Sequence, residues 1–217
     1  MQDQSGEIDW RDGDIPVARR FDDPYFSRTD GLAETRHVFL AGNDLPARVR
    51  PGFAIAELGF GTGLNLLATV AALRDTPIRY TSFEAFPMTA PDMARALTAF
   101  PELDARELLN AWASGARRFT LGAVDVQVII GDVRDTLPAW PGRADAWYLD
   151  GFAPAKNPAM WSADIMAEVA RHTNPGGTFA TYTAAGAVRR ALAEAGFTVT
   201  RAPGFGRKRH MSRGVLA

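Results

Sequence analysis

Phe53-Ala54-Ile55-Ala56-Glu57-Leu58-Gly59-Phe60-Gly61-Thr62-Gly63-Leu64-Asn65 is the stretch whose reading decides the fold. A short apolar run ends in an acid and passes through three alternate glycines. An apolar helix pattern then extends from Leu64 to about Leu73. That order reads as buried strand, tight loop and helix. Glycines permit φ > 0 and a close backbone approach to a ligand, and a helix starting there points free N–H groups into the loop. Such a corner suits a cofactor, although an isolated glycine triplet serves a plain strand-to-helix turn about as often.

The neighbouring residues shift that balance. The spacing is G-x-G-x-G, with Leu64 where a dinucleotide fingerprint would place its last glycine. Glu57, just ahead of the first glycine, is typical of loops that hold S-adenosylmethionine (SAM), whose amino-acid end and sulfonium carry positive charge. Arg79-Tyr80-Thr81-Ser82-Phe83-Glu84 reads as a second strand ending in an acid. Glu84 falls about 20 residues past the loop, where a carboxylate can accept hydrogen bonds from both ribose hydroxyls. Val126 to Asp132 forms a third strand ending in Gly131-Asp132, placed for an adenine amino group. Three strand ends carrying three acids make a SAM-dependent methyltransferase the leading reading.

At 217 residues and 47% apolar, the chain is long enough for one domain with a substantial core. Its formal charge of −1 gives no whole-chain sign of nucleic-acid binding, so any such surface must be local. No cysteine is present, which excludes disulfides, cysteine-ligated zinc and thiol catalysis. His37, His172 and His210 are scattered without metal-ligand spacing, and no metal is expected. No apolar run approaches the roughly 20 residues needed to span a bilayer, and Met1-Gln2-Asp3-Gln4 does not open a signal peptide. The expected setting is the cytoplasm, with no membrane partner.

In chain order, residues 1–20 read as an irregular or short-strand segment, followed by Phe21-Asp22-Asp23-Pro24-Tyr25-Phe26-Ser27, an aromatic and acidic loop. A helix pattern spans roughly Gly31 to Leu40 and closes at Gly42-Asn43 and Pro46. Residues 1–50 thus form an N-terminal extension of the same domain, either a lid over the cofactor or plain packing. The lid is favoured because methyl transfer must be shielded from water. From Phe53 strands and helices alternate, which predicts a parallel sheet with helices on both faces across 51–217. Helices are expected at 64–73, 90–99, 104–112 and 184–195. A hairpin, Arg117–Leu121 with Val124–Ile130, leads into the third strand. Further strands are expected at 145–150, 177–182, 197–201 and 208–216.

A second cluster, Asp150-Gly151-Phe152-Ala153-Pro154-Ala155-Lys156-Asn157-Pro158, leaves the fourth strand. Ligands of open α/β sheets bind outside the carboxyl ends of strands near the topological switch point, so Asp150 should face an incoming methyl acceptor. Asp150 could instead cap a turn. Lys156 could hold a phosphate or be solvated, and Phe152 and Trp161 could stack a base or fill core; for these three the structural role is the simpler one. The stretch Arg201 to Arg213 holds Arg207, Lys208, Arg209 and His210 without an acid. It suits phosphate contacts or a solvated edge strand equally.

These residues carry a resemblance. Residues 21–27, Glu34-Thr35-Arg36, Gly42-Asn43-Asp44-Leu45-Pro46, Glu57 to Asn65, Leu149 to Trp161 and Thr181 to Arg190 resemble the methyltransferase half of the MnmC family, bacterial tRNA 5-methylaminomethyl-2-thiouridine biosynthesis enzymes. The likeness runs from about Phe21 to the C-terminus. It implies a Rossmann-like class I methyltransferase fold, a seven-stranded, mostly parallel sheet with its last strand antiparallel. It also implies SAM-dependent methylation of the 5-aminomethyl group of the tRNA wobble uridine at position 34, through the anticodon stem-loop. The cofactor set so implied is Glu57, Gly59, Phe60, Gly61, Gly63, Asn65, Glu84, Asp132, Val133 and Asp150. Asp150 is the catalytic candidate, and Phe152, Lys156, Tyr182, Arg207, Lys208 and Arg209 are the substrate candidates.

In the bifunctional members a flavin-dependent oxidoreductase domain follows, whereas this sequence stops at Ala217, either as a stand-alone methyltransferase or as a truncated bifunctional enzyme. No FAD is expected in this chain. The aminomethyl substrate would come from a separate FAD-dependent oxidoreductase or another tRNA-modification enzyme. Alternative classes are an aminopropyltransferase using decarboxylated SAM, another SAM-dependent N-methyltransferase acting on a small amine, and a non-catalytic RNA-binding module.

Overall fold

The computed structural model describes residues 7–12, 14–27, 30–73 and 75–217. The four residues that open the chain, read above for a leader, lie outside that description. Among the described residues, no helix is long and apolar enough to cross a membrane.

The glycine-loop corner forms as its pattern predicts. Strand β4 (Phe53–Leu58) is buried along its whole length and feeds helix α2 (Leu64–Leu73). The α2 side chains from Leu64 to Thr69 are buried, while Ala71 and Ala72 emerge at the far end. Four more strands run parallel to β4 or to its neighbours: β5 (Ile78–Glu84), β7 (Val124–Ile130), β8 (Ala144–Leu149) and β9 (Thr173–Thr181). Strands β10 (Phe197–Pro203) and β11 (His210–Leu216) form an antiparallel hairpin, and β11 also pairs antiparallel with β9.

The large sheet has eight strands, one more than expected, in the order β10-β11-β9-β8-β4-β5-β7-β6. The additional strand is β6 (Arg118–Leu121), the first arm of the hairpin that enters β7. The hairpin was expected. Its first arm continues the sheet because β7 would otherwise leave an open edge.

Side-chain alternation divides the core between the two faces. Phe53 and Ile55 of β4 join Tyr80, Tyr148 and α2 on one side. Ala56 and Leu58 join Trp147, Leu149 and Phe179 on the other. The first face is covered by α2, α3 (Ala90–Leu97), α4 (Arg106–Ala113) and the N-terminal helical segment. That segment begins as α1 (Gly31–Thr35) and continues as a π-helical turn, Arg36–Leu40. The second face is covered by α5 (Val133–Ala139), α6 (Ala163–Arg171) and α7 (Gly186–Glu194). Helices α5 and α6 were not anticipated. Pro138 interrupts the pattern of α5, whereas α6 carries a Ser162 cap and the buried set Ile165, Met166, Val169 and Ala170.

Ahead of α1 the chain makes a small antiparallel sheet of β1 (Ile8–Arg11), β2 (Ile15–Ala18) and β3 (Asp23–Pro24). Arg95 of α3 anchors it, lying 4.0 Å from the Trp10 ring centroid and 2.8 Å from Asp14 Oδ1. At the other end, Asp23 Oδ2 accepts the Ala153 N–H at 2.8 Å. Lys156 Nζ reaches the Asp22 carbonyl and sits 3.3 Å from Asp23 Oδ1. The sheet is thereby held across the loop that leaves β8.

Candidate active site

The sheet order places β4 between β5 and β8, so consecutive crossovers depart in opposite directions and open a crevice at the strand ends. A cavity of about 500 Å³ lies there. Its floor carries Gly59, Phe60, Gly61, Glu84, Asp132, Val133 and Asp150. Of the three strand-end acids read from the sequence, Glu84 and Asp132 line this space together with Asp150, while Glu57 does not.

Two of the three glycines are required by distinct neighbours. Gly59 has φ +89, and a Cβ there would lie 2.4 Å from the Asp150 carbonyl oxygen, so the loop rests directly on the exit of β8. Gly63, with φ +77, does not line the cavity. A Cβ on it would stand 2.7 Å from Leu108 Cδ2, so its role is close packing of α2's start against α4.

The acids sit in different environments. Glu84 Oε2 accepts the Gly61 N–H at 3.0 Å and Oε1 accepts the Phe86 N–H at 2.7 Å. Burial raises its pKa against these stabilising bonds. Asp132 caps α5 and chelates Arg134, which donates from Nε at 3.0 Å and from Nη2 at 2.6 Å. Those bonds hold the Asp132 pKa below its ordinary value.

Glu57 is placed differently from the expectation of direct cofactor contact. It is 0% exposed, outside the cavity lining, with Oε1 accepting from Asn65 Nδ2 (2.8 Å) and Oε2 from Ser82 Oγ (2.7 Å). Asn65 also donates to Asp150 Oδ2 at 2.7 Å, so one amide group links the buried acid to the exposed edge of the cavity. Burial, the dominant cause, pushes Glu57 up to about 8 and Asp150 up to about 7, against the opposing hydrogen bonds from Asn65.

The substrate candidates divide. Phe152, Tyr182 and Lys208 line the cavity, whereas Lys156, Arg207 and Arg209 do not. The Tyr182 hydroxyl donates to the Gly151 carbonyl at 2.6 Å, and burial raises its pKa. Lys208 Nζ lies 4.2 Å from the Tyr182 ring centroid and donates to Glu34 Oε1 at 2.7 Å. Arg207 and Arg209 flank it, exposed, on the turn between β10 and β11. Trp161 is buried core, its Nε1 donating to the Phe152 carbonyl at 2.9 Å.

The structure adds residues that the site reading did not include. Phe21 stacks on Phe152 at 4.7 Å between centroids, Tyr25 meets Phe152 edge-on at 5.2 Å, and Phe21 meets Phe86 at 5.8 Å. These aromatics join an N-terminal run, Arg20 to Ser27, in the cavity wall. Their sequence signal was the unexplained aromatic loop at 21–27. Thr35 lay within the Glu34-Thr35-Arg36 motif of the resemblance without a role assigned to it, and Ser82 left no such signal.

A mostly parallel sheet flanked by helices, with a glycine-loop corner and acids at successive strand ends around one crevice, defines the class I methyltransferase architecture. The chain belongs to the S-adenosyl-L-methionine-dependent methyltransferase family whose model matches residues 99–217. It is 46% identical over 230 residues to the tRNA 5-methylaminomethyl-2-thiouridine biosynthesis bifunctional protein MnmC of Stutzerimonas stutzeri, covering 98% of this chain and 35% of that protein. The protein of the same name from Chromobacterium violaceum is 46% identical over 234 residues, covering 100% of this chain and 35% of the relative. The chain thus spans about a third of the length of these curated relatives. Among solved structures, MNMC2 from Aquifex aeolicus superposes with a TM-score of 0.78 at 25% identity, covering 99% of this chain and 72% of that one.

Proposed function

We propose that this chain methylates the primary amine of 5-aminomethyl-2-thiouridine at position 34 of tRNA, giving 5-methylaminomethyl-2-thiouridine. The observation that carries the reading is Asp150, held beside the glycine loop at the edge of an aromatic-walled cavity. The likeness to the MnmC proteins along nearly the whole chain supports the same substrate.

The residues present fit SAM. Gly59, Phe60 and Gly61 offer a close backbone approach, Glu84 has lone pairs left for ribose hydroxyls, and Asp132 and Val133, in the same cavity lining, would hold the adenine. When bound, SAM supplies a methyl carbon already activated by its sulfonium. The protein's task is to present an unprotonated amine. A free alkylamine has a pKa of about 10.4, so at neutral pH almost all of it lacks a lone pair. Asp150, raised to about 7, is well matched to take that proton. Asn65 donates to Oδ2, and the carboxyl group keeps lone pairs for the amine. Tyr182 and Phe152 border the same space and confine the acceptor.

The N-terminal segment, part of the same domain as 51–217, acts as the lid. Its stitching to the 150–156 loop and its aromatic wall support water exclusion. Arg207 and Arg209 are assigned to phosphates of the anticodon stem-loop, with the flipped uridine entering beneath the aromatic wall. The amine substrate would be supplied in the cytoplasm by a flavin-dependent oxidoreductase activity or by another tRNA-modification enzyme. The test is incubation with SAM and tRNA from cells lacking the modification, followed by nucleoside mass analysis. A single methyl gained on the wobble aminomethyluridine is expected. SAM binding with no methyl on any tRNA nucleoside would refute the substrate assignment, and alkylation from decarboxylated SAM would identify an aminopropyltransferase.

A further inference from the structure

Helix α1 lies in the N-terminal extension, yet one of its side chains joins the hydrogen-bond system behind Asp150. Thr35 is buried, and its Oγ1 donates to Asn65 Oδ1 at 2.8 Å. Asn65 has one amide oxygen and two amide hydrogens. Its nitrogen stands 2.8 Å from Glu57 Oε1 and 2.7 Å from Asp150 Oδ2. If the amide turned over, its oxygen would face both carboxyl groups and its NH₂ would face the Thr35 hydroxyl. The two carboxyl groups favour the orientation in which Asn65 gives a hydrogen to each, and the Thr35 hydroxyl, by donating to the amide oxygen, holds the amide in that orientation.

We infer that Thr35 and Asn65 are positioning residues for methyl transfer: the Thr35 hydroxyl locks the Asn65 amide, and the locked amide fixes the Asp150 carboxyl group toward the substrate amine. The inference rests on the reading of Asp150 as the amine's proton acceptor. It gives the N-terminal extension a second role besides covering the cavity, because the extension supplies part of the apparatus that aims the acid. Glu57 completes the arrangement from below. Ser82 holds its other oxygen, so the acid cannot swing away from Asn65. The charged and titratable groups around Asp150 are Lys208 from the β10–β11 turn, Glu34 from α1, Glu57 from β4, Tyr80 from β5 and Tyr182 after β9. Asn65 is both fixed by a partner on the extension and bonded to Asp150 itself.

The test compares Thr35→Val, which keeps the shape and removes the donor, with Thr35→Ser, which restores it. Single-turnover methylation is measured from pH 6 to 9 with saturating SAM, beside SAM affinity and melting temperature. Thr35→Val should lose roughly 10–100-fold in rate, the loss expected when a reacting group is misaimed by an ångström or so. SAM affinity should change little. Asn65 donation favours the charged form of Asp150, so losing it should move the acidic limb of the rate profile to higher pH. Thr35→Ser should recover both rate and limb. A Thr35→Val enzyme with the wild-type rate and limb overturns the inference. So does a rate loss with an unmoved limb that tracks melting temperature, which marks a merely structural residue. Asp150→Asn separates this from the underlying reading. If Asp150→Asn is fully active, the reading of Asp150 has failed. If it is impaired, a Thr35→Val/Asp150→Asn double variant no slower than Asp150→Asn alone supports action through Asp150, and additive losses refute it.

Discussion

Replacing Glu57 by Gln should change how the protein's stability depends on pH while leaving its shape intact. Glu57 is wholly enclosed, and burial raises its pKa from 4.5 to about 8. Between those values the folded chain keeps a proton that the unfolded chain has lost. Its contribution to stability is therefore full below pH 4.5 and is lost as pH rises through about 8. Each pH unit inside that window costs about 1.4 kcal/mol. Allowing for the approach to the folded pKa, wild type should lose about 2 kcal/mol from this group between pH 6 and pH 8. Asp150, raised to about 7, adds a loss of the same sign in both proteins; because its charge also helps to raise Glu57, only the part of that loss independent of Glu57 cancels in the comparison. Gln is isosteric with the protonated acid. Its oxygen can accept from Asn65, and the rotatable Ser82 hydroxyl can turn to accept from its NH₂. Urea unfolding of both proteins at pH 6, 7 and 8 is the assay. The gap between them should shift toward the variant by about 2 kcal/mol across the range. A gap that does not move with pH would show that Glu57 is ionised throughout and that burial does not govern it.

Four other outcomes follow from the same geometry. Asp150→Asn should keep its melting temperature, since Asn can accept the Asn65 hydrogen bond, yet lose about 10²–10⁴ in methylation rate; part of that rate should return at high pH as the substrate amine deprotonates itself, and full activity at neutral pH would dismiss the acid. Gly59→Ala adds a Cβ 2.4 Å from the Asp150 carbonyl at φ +89 and should cost about 2 kcal/mol or more, whereas Gly52→Ala, at φ +83 with open space around it, should cost only the backbone strain of about 1–2 kcal/mol; equal losses in chemical denaturation would contradict the contact. Glu84→Ala should abolish the stabilisation by SAM, about 2.7 kcal/mol at 100 times the dissociation constant, while tRNA binding survives; an undiminished thermal shift would exclude Glu84 from the cofactor site. Neutralising Arg207 or Arg209 should lower the slope of log affinity for tRNA against log salt by about 0.7–0.9 for each phosphate left without its cation, and an unchanged slope in the double variant would make the turn a solvated edge.

The parts of this fold that were legible in the sequence are those whose signals are local. The G-x-G-x-G corner predicts strand β4, the loop and the full extent of α2, because glycine spacing and apolar runs act within a dozen residues. Glu84, Asp132 and Asp150 could be named because each ends a strand, and parallel strands bring their carboxyl ends to one side. The wall and the back of the site were not legible in the same way. Asp23 meets Ala153 across 130 residues, and Thr35 meets Asn65 across 30. Contacts of that kind depend on packing angles between elements, which periodicity does not report. The turn after β10 shows the same limit on a smaller scale. Three consecutive cations looked equivalent, but the hairpin sends Lys208 into the cavity to Glu34 and leaves Arg207 and Arg209 outside.

Glu57 shows why the chemistry expected of a residue can be displaced by one shell. An acid before a glycine loop suggests direct attraction for a cationic cofactor, and the strand places this one on the α2 side, where no solvent reaches it. A charge there would cost too much, so burial favours the protonated form. A neutral acid offers little long-range attraction, but it still offers direction. With Ser82 on one oxygen and Asn65 on the other, it holds the amide beneath Asp150, and Thr35 fastens the amide oxygen from the other side. The acid that is open to the cavity is then aimed by one that is not. The same burial that removes Glu57 from contact with the cofactor makes it useful to the residue that meets the substrate.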